Sequence, residues 1–379
     1  MLTNLKQVLS RQLLNIPGWR TKRKIIVIES DDWGSIRMPS KEVYEKFLKA
    51  GIRVDKCHYN KYDTLASEND LSHLFETLTR FKDKNGFHPV ITANTIVANP
   101  DFEKIKASDF EKYFYEPFTN TLKRYPKHTN VFELWQQGIS EDIFKPQFHG
   151  REHLNVNRWL RVLQSGSNET TFAFENNFFG LSATITTEKR KSYLAALDFD
   201  DKSELNSQKV VLKDGLVLFE RLFGYKSKTY IATNYVWHPE VEAQLHQSGI
   251  IAMQGGNSHI IPGGQKPNQV TRHKLGERNT FNQTYLIRNV FFEPSENPNK
   301  DWVISCLKEI ELAFKWHKPA IISSHRVNYI GFINERNRKD NLHALSQILS
   351  IIIKKWPEAE YMSSDQLAEI IRSESKEHE

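Results

Sequence analysis

Hydrophobic residues fall into short runs that alternate with longer segments of helical periodicity along this chain. Short apolar runs bounded by turn-forming residues predict strands. We place the strands at Lys24–Ile28, Pro89–Ala93, Asn130–Leu134, Lys145–Phe148, Thr229–Ala232, Ile250–Met253, Thr284–Ile287 and Ala320–Ser323. The segments between them predict helices near Lys41–Ala50, Asp70–Lys82, Asn155–Leu163, Pro239–Gln247, Lys300–His317 and Asn341–Trp356. Such alternation predicts an α/β fold of parallel strands with helical crossovers, either a barrel or a doubly wound sheet.

One domain is expected to span residues 1–379, with two additions. A polar stretch at about residues 165–228 breaks the alternation and is interpreted as an insertion over the active face. At the start of the chain, Leu2, Leu5, Leu9 and Leu13 predict an amphipathic helix within residues 1–20, followed by basic residues at 20–24. Packing of this helix against the fold is the first interpretation, and peripheral contact with an anionic membrane is the alternative.

Composition excludes several classes of protein. The 52 Lys and Arg against 46 Asp and Glu give a formal charge of +6 spread along the chain, so no nucleic-acid partner is expected. The two cysteines, Cys57 and Cys306, support neither a disulfide framework nor a thiolate metal site. Without a signal peptide or an apolar run of membrane-spanning length, the expected location is cytoplasmic, with any membrane contact at the inner face.

The first candidate catalytic residues lie where the first predicted strand ends. Asp31 and Asp32 follow the apolar run Lys24–Ile28 directly. Two adjacent carboxylates in this position could divide two tasks, since one can hold a metal ion while the other moves a proton. A solvated turn is the alternative interpretation of the pair.

Histidines stand at the ends of two further predicted strands. His149 and His153 follow Lys145–Phe148 with the i, i+4 spacing that places both rings on one face of a helical turn, where they can bind one metal ion. His325 follows Ala320–Ser323, and an imidazole can give or take a proton near neutral pH. One carboxylate with two histidines leaves coordination positions open, as a catalytic metal site requires.

In this order, the Asp-Asp pair, the His-x-x-x-His pair and the final strand ending in Ser-Ser-His resemble the motifs of the polysaccharide deacetylase superfamily, the NodB homology domain of carbohydrate esterase family four. The resemblance covers about Lys24 to Tyr329. It implies a distorted (β/α)7 barrel and a divalent metal, most often zinc, with cobalt or nickel as alternatives. It also implies the roles of five residues: Asp31 as general base, Asp32, His149 and His153 as metal ligands, and His325 as general acid.

Two departures from the family pattern affect the site, and one further motif matches only loosely. Trp33 stands between the Asp-Asp pair and Gly34, either to stack on a sugar ring or to cover the barrel mouth. The motif arginine that orients the base is missing from residues 230–235, and Arg151 or Arg288 could replace it from another loop. The Asp-Trp pair near the acid corresponds loosely to residues 301–302, where a helix-capping aspartate is an adequate alternative.

The sequence therefore predicts a metal-dependent hydrolase that removes an N-acetyl group from an amino sugar of a glycan or glycan precursor. The candidate substrate-binding residues are Trp33, Arg151, Asn234, Tyr235 and Trp237. Two alternatives stay open: a hydrolase of the same barrel that acts on a non-sugar amide or ester, and a non-catalytic glycan-binding barrel. The missing motif arginine favours the second alternative, and the intact acids and histidines argue against it.

Overall fold

The computed structural model describes residues 12–374. Its strands are β1 Lys24–Trp33, β2 Ile91–Ile96, β3 Ala98–Pro100, β4 Tyr115–Pro117, β5 Phe144–Gly150, β6 Thr229–Ile231, β7 Ala252–Gly255, β8 Ser258–Ile261, β9 Gln269–Arg272, β10 Thr284–Ile287, β11 Val290–Phe291, β12 Ala320–His325 and β13 Ala359–Tyr361. The α-helices are Lys41–Lys49, His58–Tyr62, Glu68–Thr79, Phe102–Ala107, Phe118–Arg124, Val131–Ser140, Val156–Gln164, Asn168–Glu175, Leu205–Phe223, Glu242–Gln247, Trp302–Lys315, Glu335–Lys355 and Ser364–Glu374. Single 3₁₀ turns lie at Val54–Lys56, Lys202–Glu204, Thr233–Tyr235, Pro239–Val241 and Arg326–Tyr329.

Parallel strands form the centre of the molecule. Within residues 12–374 the main sheet runs in the order β10-β7-β6-β5-β2-β1-β12-β11, and β13 adds to the start of β1. Every pairing in this sheet is parallel. Ile25 to Ile28 of β1 are at most 1% exposed, as expected for a strand covered on both faces. The α/β class predicted from the sequence is confirmed.

The sheet closes into a distorted barrel through a split strand. The two ends of the order, β10 and β11, are separated along the chain only by Arg288 and Asn289. The Arg288 N–H donates to Gly255 O of β7 at 2.9 Å, and the Asn289 N–H donates to Ile321 O of β12 at 3.1 Å. If β10 and β11 are counted as one position, the ring has the seven positions of the expected (β/α)7 barrel.

The predicted strand at Asn130–Leu134 is wrong, because this segment begins the helix Val131–Ser140. Val131, Trp135 and Gly138 are its buried residues, and their spacing of four and three is that of a helix face. The other seven predicted strands all overlap barrel strands.

The two predicted additions to the domain, the N-terminal helix and the segment at about residues 165–228, can be located in part. Residues 12–15 are helical, whereas Leu2, Leu5 and Leu9 of the predicted N-terminal helix lie outside the described residues. In the 165–228 segment, Leu205–Phe223 is the crossover helix that packs on β5, and residues 176–204 contain only one short 3₁₀ turn. Between residues 12 and 374 no helix is both long and apolar enough to cross a bilayer.

Candidate metal and proton-transfer site

A β-bulge in β1 brings both acids to one site. Neighbouring residues of a regular strand point to opposite faces, which would separate Asp31 from Asp32. The register with β2 shifts between Ser30 and Trp33, and Asp32 has a φ of +74°. A bulge re-aims side chains in this way. Both carboxylates therefore reach the carboxyl end of the barrel, where the active sites of such folds lie.

Asp32, His149 and His153 form a buried group that could hold a metal ion. Asp32 Oδ1 lies 3.6 Å from His149 Nε2 and 3.2 Å from His153 Nε2. One ligand atom from each residue falls within 4.8 Å of the others. The histidines do not share a helical turn as predicted, because His149 belongs to β5 and His153 to the loop that follows.

The hydrogen bonds of His149 fit the role of a metal ligand. Its Nδ1 lies 2.8 Å from Ile231 O, so Nδ1 carries the proton and Nε2 keeps its lone pair. That Nε2 is buried and has no hydrogen-bond partner among the described residues. Burial and the nearby Arg37 lower the pKa of His153 to about 4, so its ring is neutral at pH 7. Two histidines with one carboxylate are the donor set of a catalytic zinc site.

Of the two arginines offered as replacements for the missing motif arginine, Arg288 is the one that binds Asp31. Its Nη1 and Nη2 donate to Asp31 Oδ2 and Oδ1 at 2.8 and 2.6 Å, and its Nε donates to Glu29 at 2.6 Å. Asn94 Nδ2 donates to Asp31 Oδ1 at 2.7 Å. Burial opposes ionisation of Asp31, but Arg288 outweighs it and lowers the pKa of this carboxyl to about 2. Asp31 is therefore an ionised carboxylate with a fixed orientation.

Of the two arginines considered as replacements, Arg151 is not in contact with Asp31. Its Nε donates to Glu152 at 2.6 Å and its Nη1 to Asp214 at 2.7 Å. The Arg151 guanidinium also lies 4.2 Å from the ring centre of Tyr115. Arg288 reaches Asp31 because it stands at the break in the split strand.

His325 is placed directly opposite Asp31, since the two residues are register partners on β12 and β1. Its Nε2 lies 3.7 Å from Asp31 Oδ2, and its Nδ1 lies 2.7 Å from Glu293 Oε1. Burial disfavours the charged ring, but the Glu293 carboxylate overcomes this effect and raises the pKa of His325 to about 9. His325 is thus a protonated imidazole at neutral pH, as a general acid must be.

Glu293, and not the pair at residues 301–302, is the acidic residue in contact with His325. Asp301 instead caps the helix Trp302–Lys315, where its side chain accepts a hydrogen bond from the Ile304 N–H at 2.9 Å. Glu293 follows β11 by two residues and is missed because no charged pattern marks this short strand.

The candidate substrate-binding residues divide into two groups. Trp33 is 1% exposed and packs among Trp135, Phe144 and Tyr329, which corrects its interpretation as a sugar-stacking ring. Trp237 is 3% exposed and stacks on His259 with 3.6 Å between ring centres, so it too is a core residue.

Asn234 and Tyr235 follow β6 in the 3₁₀ turn Thr233–Tyr235. Asn234 is exposed, and both residues have a positive φ, of 56° and 55° respectively. Such strained backbone is common at binding sites. The Tyr235 hydroxyl accepts a hydrogen bond from Arg288 Nη1 at 3.2 Å, so Tyr235 helps to hold the arginine beside Asp31.

Comparison with solved structures yields remote similarities, whereas no protein-family model and no curated protein sequence matches this chain. The chain is similar to a Mycobacterium smegmatis protein provisionally named a polysaccharide deacetylase, at 9% identity and a TM-score of 0.43, over 95% of this chain and 94% of that one. It is similar to Puue allantoinase at 8% identity and a TM-score of 0.43, over 93% and 91% of the two chains. It is also similar to the 4-alpha-glucanotransferase of Thermococcus litoralis, at 11% identity and a TM-score of 0.45, over 91% of this chain but only 40% of that one.

Proposed function

We propose that this chain is a metal-dependent hydrolase that removes an N-acetyl group from an amino sugar of a polysaccharide or glycan precursor, with zinc as the metal. The observation that carries the proposal is the convergence of a three-residue metal-binding group, an ionised carboxylate and a protonated imidazole at one end of the barrel. A barrel that only binds glycans would have no use for a base and an acid beside the metal ligands.

Each residue can be given one task in amide hydrolysis. When bound to Asp32, His149 and His153, the metal would lower the pKa of water and polarise the amide carbonyl. Asp31 takes the proton of the attacking water at Oδ2, because Oδ1 already accepts hydrogen bonds from Asn94 and Arg288. Oδ2 accepts a single hydrogen bond from Arg288, at 2.8 Å, and faces His325.

His325 supplies the proton that the departing nitrogen needs. An amine is a poor leaving group unless it is protonated, so the acid must carry its proton at working pH. Glu293 accepts from Nδ1 and keeps the ring charged, which leaves the Nε2 proton for transfer. A carboxylate and an imidazolium whose pKa values are pushed apart divide the roles of base and acid.

The test combines metal analysis with a substrate screen. The purified chain, loaded with zinc, is assayed for bound metal and for release of acetate from N-acetylated amino sugars and their oligomers. Linear amides, cyclic amides and acetyl esters form the comparison panel, since a barrel hydrolase with another substrate would act on one of these. We expect one metal per chain and acetate release from the amino sugars.

Asp31→Asn and Asp32→Asn separate the two halves of the proposal. Asp31→Asn should retain the metal and lose turnover roughly 10²-fold or more, the usual contribution of a general base. Asp32→Asn should lose the metal. Full activity of Asp31→Asn would overturn the catalytic role of this acid, and absence of metal from the zinc-loaded wild-type chain would overturn the metal site itself.

A further inference from the structure

Four charged side chains form a buried ion chain that runs from Asp32 to the residue next to His325. Arg37 Nη2 lies 3.0 Å from Asp32 Oδ2, and Arg37 Nε lies 3.6 Å from Asp63 Oδ2. Arg326 Nε and Nη2 donate to the two Asp63 oxygens at 3.0 Å each. All four side chains are at most 3% exposed, so water does not compete for these contacts.

The two oxygens of Asp32 have different partners. Oδ1 faces His149 and His153, the other members of the metal-binding group. Oδ2 is held by Arg37 on the opposite side. A carboxylate whose second oxygen is bound to a guanidinium can offer only one oxygen to a metal ion. A partner on the second oxygen orients a metal-binding carboxylate and changes how strongly it binds the metal.

Packing alone does not account for Arg37. Its Nε and Nη1 have no hydrogen-bond partner among the described residues, although the side chain is buried. Unsatisfied buried N–H groups of a charged residue reduce stability, so this arginine is retained at an energetic cost. Of its two carboxylate contacts, the shorter one, 3.0 Å from Nη2, is with the metal-ligand candidate Asp32.

The buried ion chain also connects the loop that carries Arg37 to the strand end that carries His325. Arg326, which follows His325, donates from Nη1 to Ser35 O at 2.8 Å. The Met38 N–H donates to Asp63 O at 3.0 Å. Residues on both sides of Arg37 are therefore held by Asp63 and Arg326, and the guanidinium has little freedom to leave Asp32.

We propose that Arg37 is a positioning residue that keeps Asp32 a one-oxygen metal ligand, with Asp63 and Arg326 holding it in place. This inference rests on the proposed metal site. The proposed role explains why Arg37 is buried beside Asp32, the metal-ligand candidate. Restricting Asp32 to one oxygen would leave a coordination position for water or substrate, and the nearby positive charge would make a metal bound there a stronger Lewis acid.

The test uses cobalt(II) in place of zinc, because its visible absorption reports coordination number. Arg37→Met removes the guanidinium and keeps the volume, and Arg37→Lys keeps a charge without the planar fork. Asp63→Asn loosens Arg37 without touching Asp32. Arg338→Met is the matched control, since Arg338 is also a buried arginine on one aspartate, with Nη1 at 2.7 Å from Asp70.

For Arg37→Met we expect one cobalt per chain, a weaker visible band as Asp32 binds through both oxygens, and a turnover number reduced roughly 10–100-fold with little change in KM. Arg37→Lys and Asp63→Asn should show the same changes to a smaller extent, and either decides the question if Arg37→Met does not fold. Arg338→Met should match the wild-type spectrum and turnover. A wild-type spectrum in the Arg37 and Asp63 variants would overturn the inference alone, whereas a wild-type chain that binds no cobalt would overturn the proposed function.

Discussion

At the scale of single residues, Arg288 is the contact on which Asp31 depends most. The guanidinium binds both oxygens of Asp31 and is completely buried. Replacement by methionine leaves Asp31 buried without its cation, so the pKa of Asp31 should rise from about 2. The carboxylate should also lose the two hydrogen bonds from Arg288 that fix its orientation. We expect Arg288→Met to lose turnover roughly 100-fold and to move the acid limb of the pH–rate profile to higher pH.

Arg288→Lys is the control for this prediction, because it keeps a positive charge but cannot bind both oxygens. Its acid limb should lie between those of the wild type and Arg288→Met. Circular dichroism at each pH separates loss of turnover from loss of fold, which matters since breaking a buried ion pair costs about 3–5 kcal/mol. An acid limb that stays in place in both variants would argue against Arg288 as the partner of the base.

Glu293 controls the other proton-transfer group. Its carboxylate raises the pKa of His325 from 6.5 to about 9. We expect Glu293→Gln to lower this pKa, so that the alkaline limb of the pH–rate profile moves to lower pH. A bound divalent metal also lowers the pKa by repulsion, in wild type and variant alike, so the difference between them is the quantity to measure. Identical alkaline limbs would exclude Glu293 as the group that keeps His325 charged.

The same pair contributes to folding stability with a defined sign. Because the pKa of His325 is higher in the folded chain, its stabilising contribution is complete below pH 6.5 and is lost as the pH rises through about 9. Urea midpoints of the metal-free wild type should therefore fall over this interval. In Glu293→Gln the fall should be smaller, and a fall of equal size would show that another group is titrating.

The sequence alone predicts those residues of the site that stand in a recognisable position along the chain. Asp31, Asp32, His149, His153 and His325 each stand where an apolar run ends, and the structure brings all five together. Asn94, Arg288 and Glu293 could not be ranked, because their partners at the site lie at least 32 positions away in the chain. Arg37 stands close to Asp32 in the sequence, but a local pattern does not show that the two side chains are buried against each other. The contact between Arg288 and Asp31 joins residues 257 positions apart.

At the scale of elements, the bulge in β1 is the feature that allows two neighbouring acids to share one site. Gly34 directly follows this bulged end of β1 and has a φ of +82°. A Cβ at this position would lie 2.2 Å from Ile96 O of β2, a backbone atom that cannot move aside easily. We expect Gly34→Ala to destabilise the fold by about 1–2 kcal/mol for the backbone conformation and by about 1–3 kcal/mol more for the collision.

Gly51→Ala is the matched control for this element. Gly51 also has a φ of +82°, but a Cβ there would meet nothing within 4 Å. It should show the backbone cost alone and should bind metal as the wild type does. Gly34→Ala should lower the urea midpoint further and reduce the bound metal per chain. Equal urea midpoints and equal metal contents in the two variants would mean that the bulge does not position Asp32.

Strands and helices can be predicted where the spacing of hydrophobic residues fits only one of the two. The wrong assignments have physical causes. Thr284–Ile287 was predicted with its observed bounds, since four buried residues follow one another there. Residues 130–134 were misassigned because a five-residue window is too short to separate strand from helix. The bulge in β1 and the loop position of His153 depend on pairing with other strands, which a local pattern does not contain.

At the scale of the whole molecule, one two-residue break serves both the fold and the chemistry. Arg288 and Asn289 carry hydrogen bonds to β7 and β12 and so join the two ends of the sheet. The same break turns Arg288 inward to Glu29 and Asp31. The arginine therefore reaches Asp31 from the split strand and not from residues 230–235, where the sequence comparison sought it. Replacing Arg288 can disturb both the closure of the barrel and the orientation of Asp31. Arg288→Lys, which keeps the positive charge, is therefore more informative than Arg288→Met.

Metal binding should stabilise the barrel as a unit, since the three candidate ligands come from β1, from β5 and from the loop after β5. A ligand that binds only the folded chain at 100 times its Kd adds about 2.7 kcal/mol to the free energy of unfolding. We expect zinc to raise the Tm of the wild type by several degrees and a chelator to reverse the rise. Asp32→Asn should not respond to zinc. If both proteins gained equally, the metal would be binding outside this site, whereas a response confined to the wild type would link the strand-end group to the stability of the entire barrel.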